Sequence, residues 1–290
     1  MKINRCILFL FLLTYNGLFS QEIKIMSWNT FMMPPFIYKS CQAERALLQS
    51  EFIIKQNPDI VILNETFIKS ARNIFLNNLK QLYPYQSKIT KNGFFKSNSG
   101  VWVFSKYPLT NQQFMKFKNR KGNDIFAKKG AVFVEATLPH SSIQLIATHT
   151  QSDYKHRYTR EKQFAQIKLK LADKYLKDSV PQFIIGDLNC NYYDSLSYHN
   201  MLHLLDVLPV NFLGNKYSWD GKENDLAYTF YKTANIRETL DYILLRIENA
   251  ANANILSATI LNTKQDSCFC NRKFFNLSDH YPILSTILLK

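Results

Sequence analysis

The sequence predicts a mixed α/β fold in which a pair of mixed sheets packs under a cover of helices. Three observations carry that expectation. Apolar runs of strand length, each stopped by a polar or turn-forming residue, recur along the whole chain. Few amphipathic stretches separate them, and two runs are joined by a turn too short for a crossover helix, so the strands cannot all be parallel. The chain has 290 residues, 46% of them hydrophobic, which is enough for one large core without a second domain.

Taken in order, Ile23 to Trp28 alternates and ends at Asn29, before an apolar loop, Phe31 to Tyr38, broken by Pro34 and Pro35. Glu44 to Gln56 has helical periodicity and stops at Asn57-Pro58, because proline cannot continue a helix. Asp59 to Leu63 is a continuous apolar strand ending in Asn64-Glu65. Ile74 to Leu82 reads as a second helix, and Gly100 to Ser105 as a strand closed by Tyr107-Pro108. A Lys/Asn-rich loop spans Lys116 to Lys129. Ala131 to Leu138 and Ile143 to Thr148 form a hairpin around Pro139-His140-Ser141, and the second strand delivers His149.

Arg157 to Lys177 is a basic stretch with helical periodicity. Gln182 to Ile185 is a strand running into Gly186-Asp187-Leu188-Asn189. A short helix, Leu196 to Leu205, precedes an irregular aromatic stretch from Asn211 to Tyr231. Leu240 to Ile247, Ile255 to Leu261 and the apolar tail Ile283 to Leu289 are the last strands, the tail following Asp279-His280.

The first twenty residues stand apart. Lys2 and Arg5 precede the apolar run Cys6 to Leu13, and Gly17 and Ser20 supply small residues before Gln21. That is the layout of a secretory signal peptide, with a run too short to span a bilayer. The expected mature domain is therefore 21–290, secreted or periplasmic. Formal charge is +14, and loss of Lys2 and Arg5 leaves +12, a balance that favours anionic partners, whether nucleic acid or a membrane surface. In an exported chain, Cys41, Cys190, Cys268 and Cys270 point to disulfides in any of three pairings. No Cys/His spacing marks a structural zinc site.

Polar residues suited to metal or phosphate chemistry repeatedly stand where an apolar strand stops or starts: Asn29, Glu65, His149, Asp187 with Asn189, Asp241, and Asp279 with His280. Each alone is ordinarily a turn former or a solvated strand end. Together they are a candidate site, because strand ends in a layered α/β fold converge on one cleft. Carboxylates and carboxamide oxygens are hard ligands that suit Mg²⁺, and two histidines can divide proton transfer and charge stabilisation. No Gly-rich phosphate loop or Gly-x-Ser-x-Gly elbow is present, which argues against nucleotide-dependent kinases and serine hydrolases.

The segments SWN, NPDIVILNE, SGVWVFSKYPL, ATHTQS, GDLN, LDY and SDHYPI occur in the order found in the endonuclease/exonuclease/phosphatase superfamily, which the chain resembles from Ile25 to its carboxyl end. Within that superfamily THTQ, Ala127-Lys128-Lys129-Gly130 and SDHYPI look most like bacterial-type sphingomyelinase C. The resemblance implies a four-layer α/β/β/α sandwich of the deoxyribonuclease-like type, with two mixed sheets face to face. It further implies a Mg²⁺ cofactor, replaceable by Mn²⁺ or Co²⁺, held among Glu65, Asn29, Asp187, Asn189, Asp279 and His280. His280 would be the general base, oriented by Asp241. His149 would donate to the phosphoryl oxygens, and Asp187 and Asn189 would sit across the cleft. The implied reaction is hydrolysis of membrane sphingomyelin to ceramide and phosphocholine by a monomer, with lysophospholipids as further substrates.

Two departures matter. Ile68-Lys69 and Ser97-Asn98 occupy places where relatives carry an auxiliary acidic metal site, so no second metal is expected. The membrane hairpin of secreted relatives is shortened to Cys268 to Phe275. Its Phe269, Phe274 and Phe275, with Phe36 of the apolar loop, are the candidate membrane contacts. A secreted metal-dependent nuclease of the same fold is the alternative, kept open by the basic stretch Arg157 to Lys177. A non-catalytic lipid- or host-binding protein is the reading from another class.

Overall fold

Side chains alternate across a strand, and in β1 (Gln21–Asn29) the alternation sorts residues between two cores. Ile23 and Ile25 pack into the larger core, between two sheets, while Met26 and Trp28 face a smaller one beneath helices. β2 (Ile60–Asn64) repeats the division, with Ile60 and Ile62 inward and Val61 and Leu63 outward. Asn29 and Asn64 therefore share the inward parity and aim across at the facing sheet. In this computed structural model residues 20–90, 97–271 and 273–290 are described. The expected signal peptide, apart from Ser20, lies outside them.

The first sheet places β1 and β2 between β4 (Trp102–Ser105) and β16 (Ile283–Leu289), with β3 (Tyr85–Gln86), β13 (Ala253–Ile260) and β9 (Phe212–Gly214) completing seven strands. The second has five, in the order β12 (Asp241–Leu245), β8 (Gln182–Asp187), β7 (Ser142–His149), β6 (Gly130–Thr137) and β5 (Leu109–Lys116). Both are mixed, since β1 runs parallel to β2 and β7 parallel to β8 among antiparallel neighbours. Helices α1 (Gln42–Gln56) and α2 (Lys69–Leu79) cover the first sheet through Ala46, Ile53, Ala71 and Phe75. Helices α3 (Arg157–Ile167), α4 (Asp173–Tyr175) and α5 (Ser195–Leu205) lie with the second, contributing Phe164, Ile167, Met201 and Leu205. This is the four-layer sandwich that the resemblance implied.

Register decides where chemistry can occur. Asn29 pairs with Asn64, His149 with Asp187, and Asp187 with Asp241. His280 stands three residues before β16, whose Ile283 pairs with Ser27. The carboxyl ends of β1, β2, β7 and β8 and the starts of β12 and β16 therefore meet at one edge of the sandwich. Gly186 makes that meeting possible. Its φ is +139°, and a Cβ there would lie 1.9 Å from the Thr148 carbonyl oxygen.

Several expectations are corrected. Leu109–Lys116, to which the sequence reading assigned no element before the loop at Lys116, is a strand; its exposed, polar sequence at the sheet edge hides the period. The stretch read as irregular holds α6 (Asp225–Tyr231), started by the Asn224 side chain, which accepts from Leu226 N and Ala227 N at 3.1 Å, as an N-cap does. It also holds half of a ribbon formed by β10 (Trp219–Asp220) and β11 (Arg237–Glu238). The basic helix is interrupted by a π-turn over Lys168–Ala172. The expected shortened hairpin forms as β14 (Lys264–Phe269) and β15 (Phe274–Asn276), tied to the start of α1 by the Cys41–Cys270 disulfide, while Cys190 and Cys268 stay free. Phe269 and Phe274 are only 8% and 4% exposed. They pack into the smaller core and are not membrane contacts.

Candidate active site

Asp187 is the hub of the strand-end cluster. Its Oδ2 accepts from Asn29 Nδ2 at 3.0 Å and lies 3.4 Å from His149 Nε2 and 3.8 Å from His280 Nε2. Its Oδ1 accepts from the Asn189 backbone N–H at 2.9 Å. Asn64 stitches the sheets just behind it, donating to the Thr148 carbonyl at 3.0 Å and accepting from Asp187 N–H at 3.1 Å. Glu65 and Asn189 both adopt left-handed backbone, with φ of 58° and 48°, a conformation that side chains disfavour and that collects at functional sites.

His280 is held from two sides. Its Nδ1 lies 2.7 Å from Asp241 Oδ2, which also accepts from the Ser218 hydroxyl at 2.7 Å. Its carbonyl accepts from the Trp28 indole N–H at 2.9 Å. With Nδ1 donating to Asp241, Nε2 is the nitrogen left facing Asp187. Burial opposes a charge on His280, but Asp241, Asp279 and Asp187 outweigh it and lift the imidazole well above its usual range.

His149 has the opposite character. Burial holds it well below the usual range, and the nearby Lys129 and His280 charges add to that. Lys129 Nζ stands 2.9 Å from His149 Nε2. An ammonium has only donors, so Nε2 accepts and the proton sits on Nδ1, which is buried with no partner among the described residues. The lysine also donates to the Thr150 carbonyl at 3.0 Å and pairs with Asp124 at 2.9 Å.

The carboxylates crowd one another. Burial, with Asp279 adding, pushes Glu65 up to about 8. Burial and the neighbouring Asp241 push Asp187 up to about 6. Asp279 is likewise raised by burial, against the pull of His280 and Arg45. Glu65 Oε2 and Asp241 Oδ1 are buried without a hydrogen-bond partner among the described residues. Ligand atoms of Asp187, Asp241 and His280 all lie within 4.8 Å of one another. Hard oxygen donors, excess buried negative charge and orphaned carboxylate oxygens fit a divalent cation of the Mg²⁺ type.

All the strand-end residues picked from sequence thus meet here: Asn29, Glu65, His149, Asp187, Asn189, Asp241, Asp279 and His280. Sequence reading gave no role to Lys129, Asp124, Asn64 or Ser218. The paired lysines at 128–129 were visible in the motif, but nothing in them says that Lys129 is buried. The site opens into a cleft of about 1320 Å³ that takes in Glu65, Lys129, Asn189 and His280. Its walls combine apolar and aromatic side chains such as Phe31, Phe67, Trp219 and Tyr231 with charged and amide ones such as Arg160, Asn191 and Glu238, and its rim exposes Phe36 (88%), Phe126 (62%) and Tyr154 (71%).

Residues 26–280 match the Endonuclease/Exonuclease/phosphatase family. The chain is 31% identical to the sphingomyelinase C of Listeria ivanovii, over 96% of this chain and 94% of that one. It superposes on crystalline beta toxin from Staphylococcus aureus with a TM-score of 0.84, at 27% identity over 91% of this chain and 99% of that one. A variant of that toxin with bound magnesium ions gives 0.83, at 26% identity and the same coverage. TDP2 from D. rerio, solved with a single-stranded DNA product, gives 0.71 at 18% identity over 92% and 98%, a likeness of fold alone. The chain belongs to the Endonuclease/Exonuclease/phosphatase family, and within it to the bacterial-type sphingomyelinase C group.

Proposed function

We propose that the protein is an exported, divalent-metal-dependent sphingomyelin phosphodiesterase. One observation carries the reading: the Asp241–His280 pair and the Glu65–Asp187 carboxylates open into a cleft that combines polar groups with apolar and aromatic side chains and is rimmed by exposed aromatics. That surroundings suits a phosphodiester at the head of a lipid. The naming of relatives as sphingomyelinase C supports the choice of lipid.

Asn29, Glu65, Asp187 and Asn189 would hold the cation, with Asp279 close by. When bound it supplies Lewis-acid stabilisation of the phosphoryl charge and offsets the carboxylate field on His280. His280 Nε2 would take a proton from water as the water oxygen bonds to phosphorus and the bond from phosphorus to the ceramide oxygen breaks. The departing alkoxide would take a proton from a second water, so that ceramide leaves as the alcohol, and the imidazolium would return its proton to the hydroxide left behind. Asp241 fixes the imidazole by its Nδ1–H and steadies the imidazolium that forms. The Asn189 carboxamide, which lines the cleft and keeps one N–H beyond its bond to the Thr150 carbonyl, would donate to the charge that builds on the phosphoryl oxygens. The Lys129 ammonium, its three N–H groups spent on His149, Thr150 and Asp124, would add positive charge at the cleft wall. Trp219 and Tyr231, edge to face at 5.1 Å, line the cleft with His280, and aromatic faces suit the quaternary ammonium of choline.

Export is supported by the amino-terminal layout and by the Cys41–Cys270 bridge, since disulfides persist in oxidising compartments. No helix among the described residues is long and apolar enough to cross a membrane, and contact with the bilayer is assigned to the cleft rim. The basic stretch gives little support to a nuclease. Arg157 pairs with Glu161, Lys168 with Asp173 and Asp206, Lys177 with Glu135, and Arg160 donates to carbonyls. The deciding experiment measures phosphocholine release from sphingomyelin vesicles beside plasmid nicking, each with Mg²⁺ and with EDTA. Release that needs Mg²⁺, with no nicking, is expected. Nicking without release sinks the lipid reading.

A further inference from the structure

The segments bearing Asn29 and His280 lie far apart in the sequence, yet one helix face grips both. On α1, Arg45 and Gln49 are one turn apart and fully buried. Arg45 Nη1 donates to the carbonyls of Thr30 and Leu277, each at 3.0 Å. Gln49 Nε2 donates to the same two carbonyls, at 3.1 and 2.6 Å. Thr30 directly follows Asn29, and Leu277 leads into Ser278-Asp279-His280. The remaining guanidinium N–H groups reach Phe31 O, Ser40 O and Ser40 Oγ, so every donor of the fork is used. The Ser278 hydroxyl closes the seam by donating to the Asn29 carbonyl at 2.6 Å.

We propose that Arg45, assisted by Gln49, is a positioning residue that sets the spacing between Asn29 and Asp279-His280. A flat fork with fixed donor directions holds two strands of backbone at a defined separation, which a flexible ammonium does not. Displacements of about 1 Å at reacting groups can cost about a hundredfold in rate, so the seam governs turnover without touching substrate. The kinetic arm of the test rests on the phosphodiesterase reading, and a metal-binding arm does not.

Arg246 supplies the control. It is also fully buried and donates to the Leu205 carbonyl at 2.9 Å, but it follows the far end of β12, roughly 16 Å along the strand from Asp241. Arg45→Lys, Gln49→Met and Arg246→Lys are compared well below their melting temperatures. The readouts are kcat and KM on sphingomyelin, and Mn²⁺ affinity by electron paramagnetic resonance without substrate. For Arg45→Lys, kcat per folded molecule falls about tenfold or more, with KM within about twofold and Mn²⁺ bound more weakly. Gln49→Met gives a smaller loss of the same kind, and Arg246→Lys lowers only the melting temperature.

Wild-type kcat and Mn²⁺ affinity in both α1 variants overturn the proposal, as does an equal kcat loss in Arg246→Lys. Should Arg45→Lys not fold, Gln49→Met decides. It removes an amide whose own oxygen has no partner among the described residues, so its cost to folding is small. A wild type that binds Mn²⁺ but releases no phosphocholine would sink the function reading and leave the Mn²⁺ arm to decide this one.

Discussion

Asp187 and Asp241 stand opposite each other in the β8–β12 ladder, and one imidazole reaches both, His280 Nδ1 at 2.7 Å from Asp241 and Nε2 at 3.8 Å from Asp187. Their partners divide the two carboxylates by role. Asp187 is held by the Asn29 side chain and the Asn189 backbone, two residues that with it belong to the proposed cation site. Asp241 is held by Ser218 and spends its other contact on the imidazole.

That division makes the pair testable without disturbing shape. Asp241→Asn keeps the volume but offers an amide to Nδ1, so the imidazole loses its fixed tautomer; kcat is expected to fall about 10²-fold or more with little change in KM. His280→Ala is expected to leave only background hydrolysis. Turnover by His280→Ala within about tenfold of wild type removes the general-base role.

Crowded carboxylates tie the site to pH. Glu65 sits at about 8 when buried in the fold, against an unfolded value of roughly 4.3. The native state thus holds a proton that the unfolded chain has released, and stability in EDTA falls as pH rises through about 8. His280, raised in the fold, acts in the same direction. His149 is lowered and acts oppositely, but only up to its unfolded value of about 6.5. From pH 7 to 9 the melting temperature in EDTA should therefore decline. The shift produced by Mg²⁺ should grow over that window, because the ion replaces the proton. A Mg²⁺ shift that is flat with pH contradicts the placement of Glu65 among its ligands.

How much of this was legible beforehand differs between strand ends and connections. Asn29, Glu65, His149 and Asp187 each end an apolar run, and strand period with parallel register brings such ends together, so they could be read from the chain. Lys129 could not. Its burial depends on Asp124, His149 and the Thr150 carbonyl, which are tertiary partners of a loop without period. Arg45 was hidden for the same reason: inside an amphipathic helix, sequence cannot show that a charged residue turns inward to five oxygens. Phe269 and Phe274 misled because apolar residues beside lysine look alike whether they face lipid or core, and their burial in the smaller core is a tertiary fact that the local sequence does not carry; Phe275 of the same hairpin stays exposed.

The burial of Phe269 and Phe274 leaves Phe36, joined by Phe126, as the proposed lipid contacts. Phe36 and Phe126 are exposed at the cleft rim, whereas Phe274 is buried beside the disulfide. Phe36→Ser and Phe126→Ser should lower hydrolysis of sphingomyelin vesicles more than that of detergent-dispersed substrate, with unchanged melting. Phe274→Ser should instead cost about 3 kcal/mol of stability, the usual loss for emptying an aromatic core position. Equal losses on vesicles and micelles for the rim variants would remove the interfacial role.

The Cys41–Cys270 bridge closes a sequence separation of 229 residues and fastens the β14–β15 hairpin to the first turn of α1. Constraint of the unfolded chain over so long a loop is worth about 2–5 kcal/mol in typical proteins. For a domain of this size that is roughly 5–10 °C in melting temperature. Cys41→Ser should show that loss, while kcat at 25 °C stays within about twofold, because the seam at Thr30 and Leu277 is held by Arg45 and Gln49 and not by the bridge. Thiol labelling checks the pairing independently. In the native protein Cys268, which is partly exposed, should react with iodoacetamide. Cys190, only 2% exposed and with its thiol pushed up to about 12 by burial, should react after unfolding alone. Labelling of Cys270 in the unreduced protein would show that a different pair is joined.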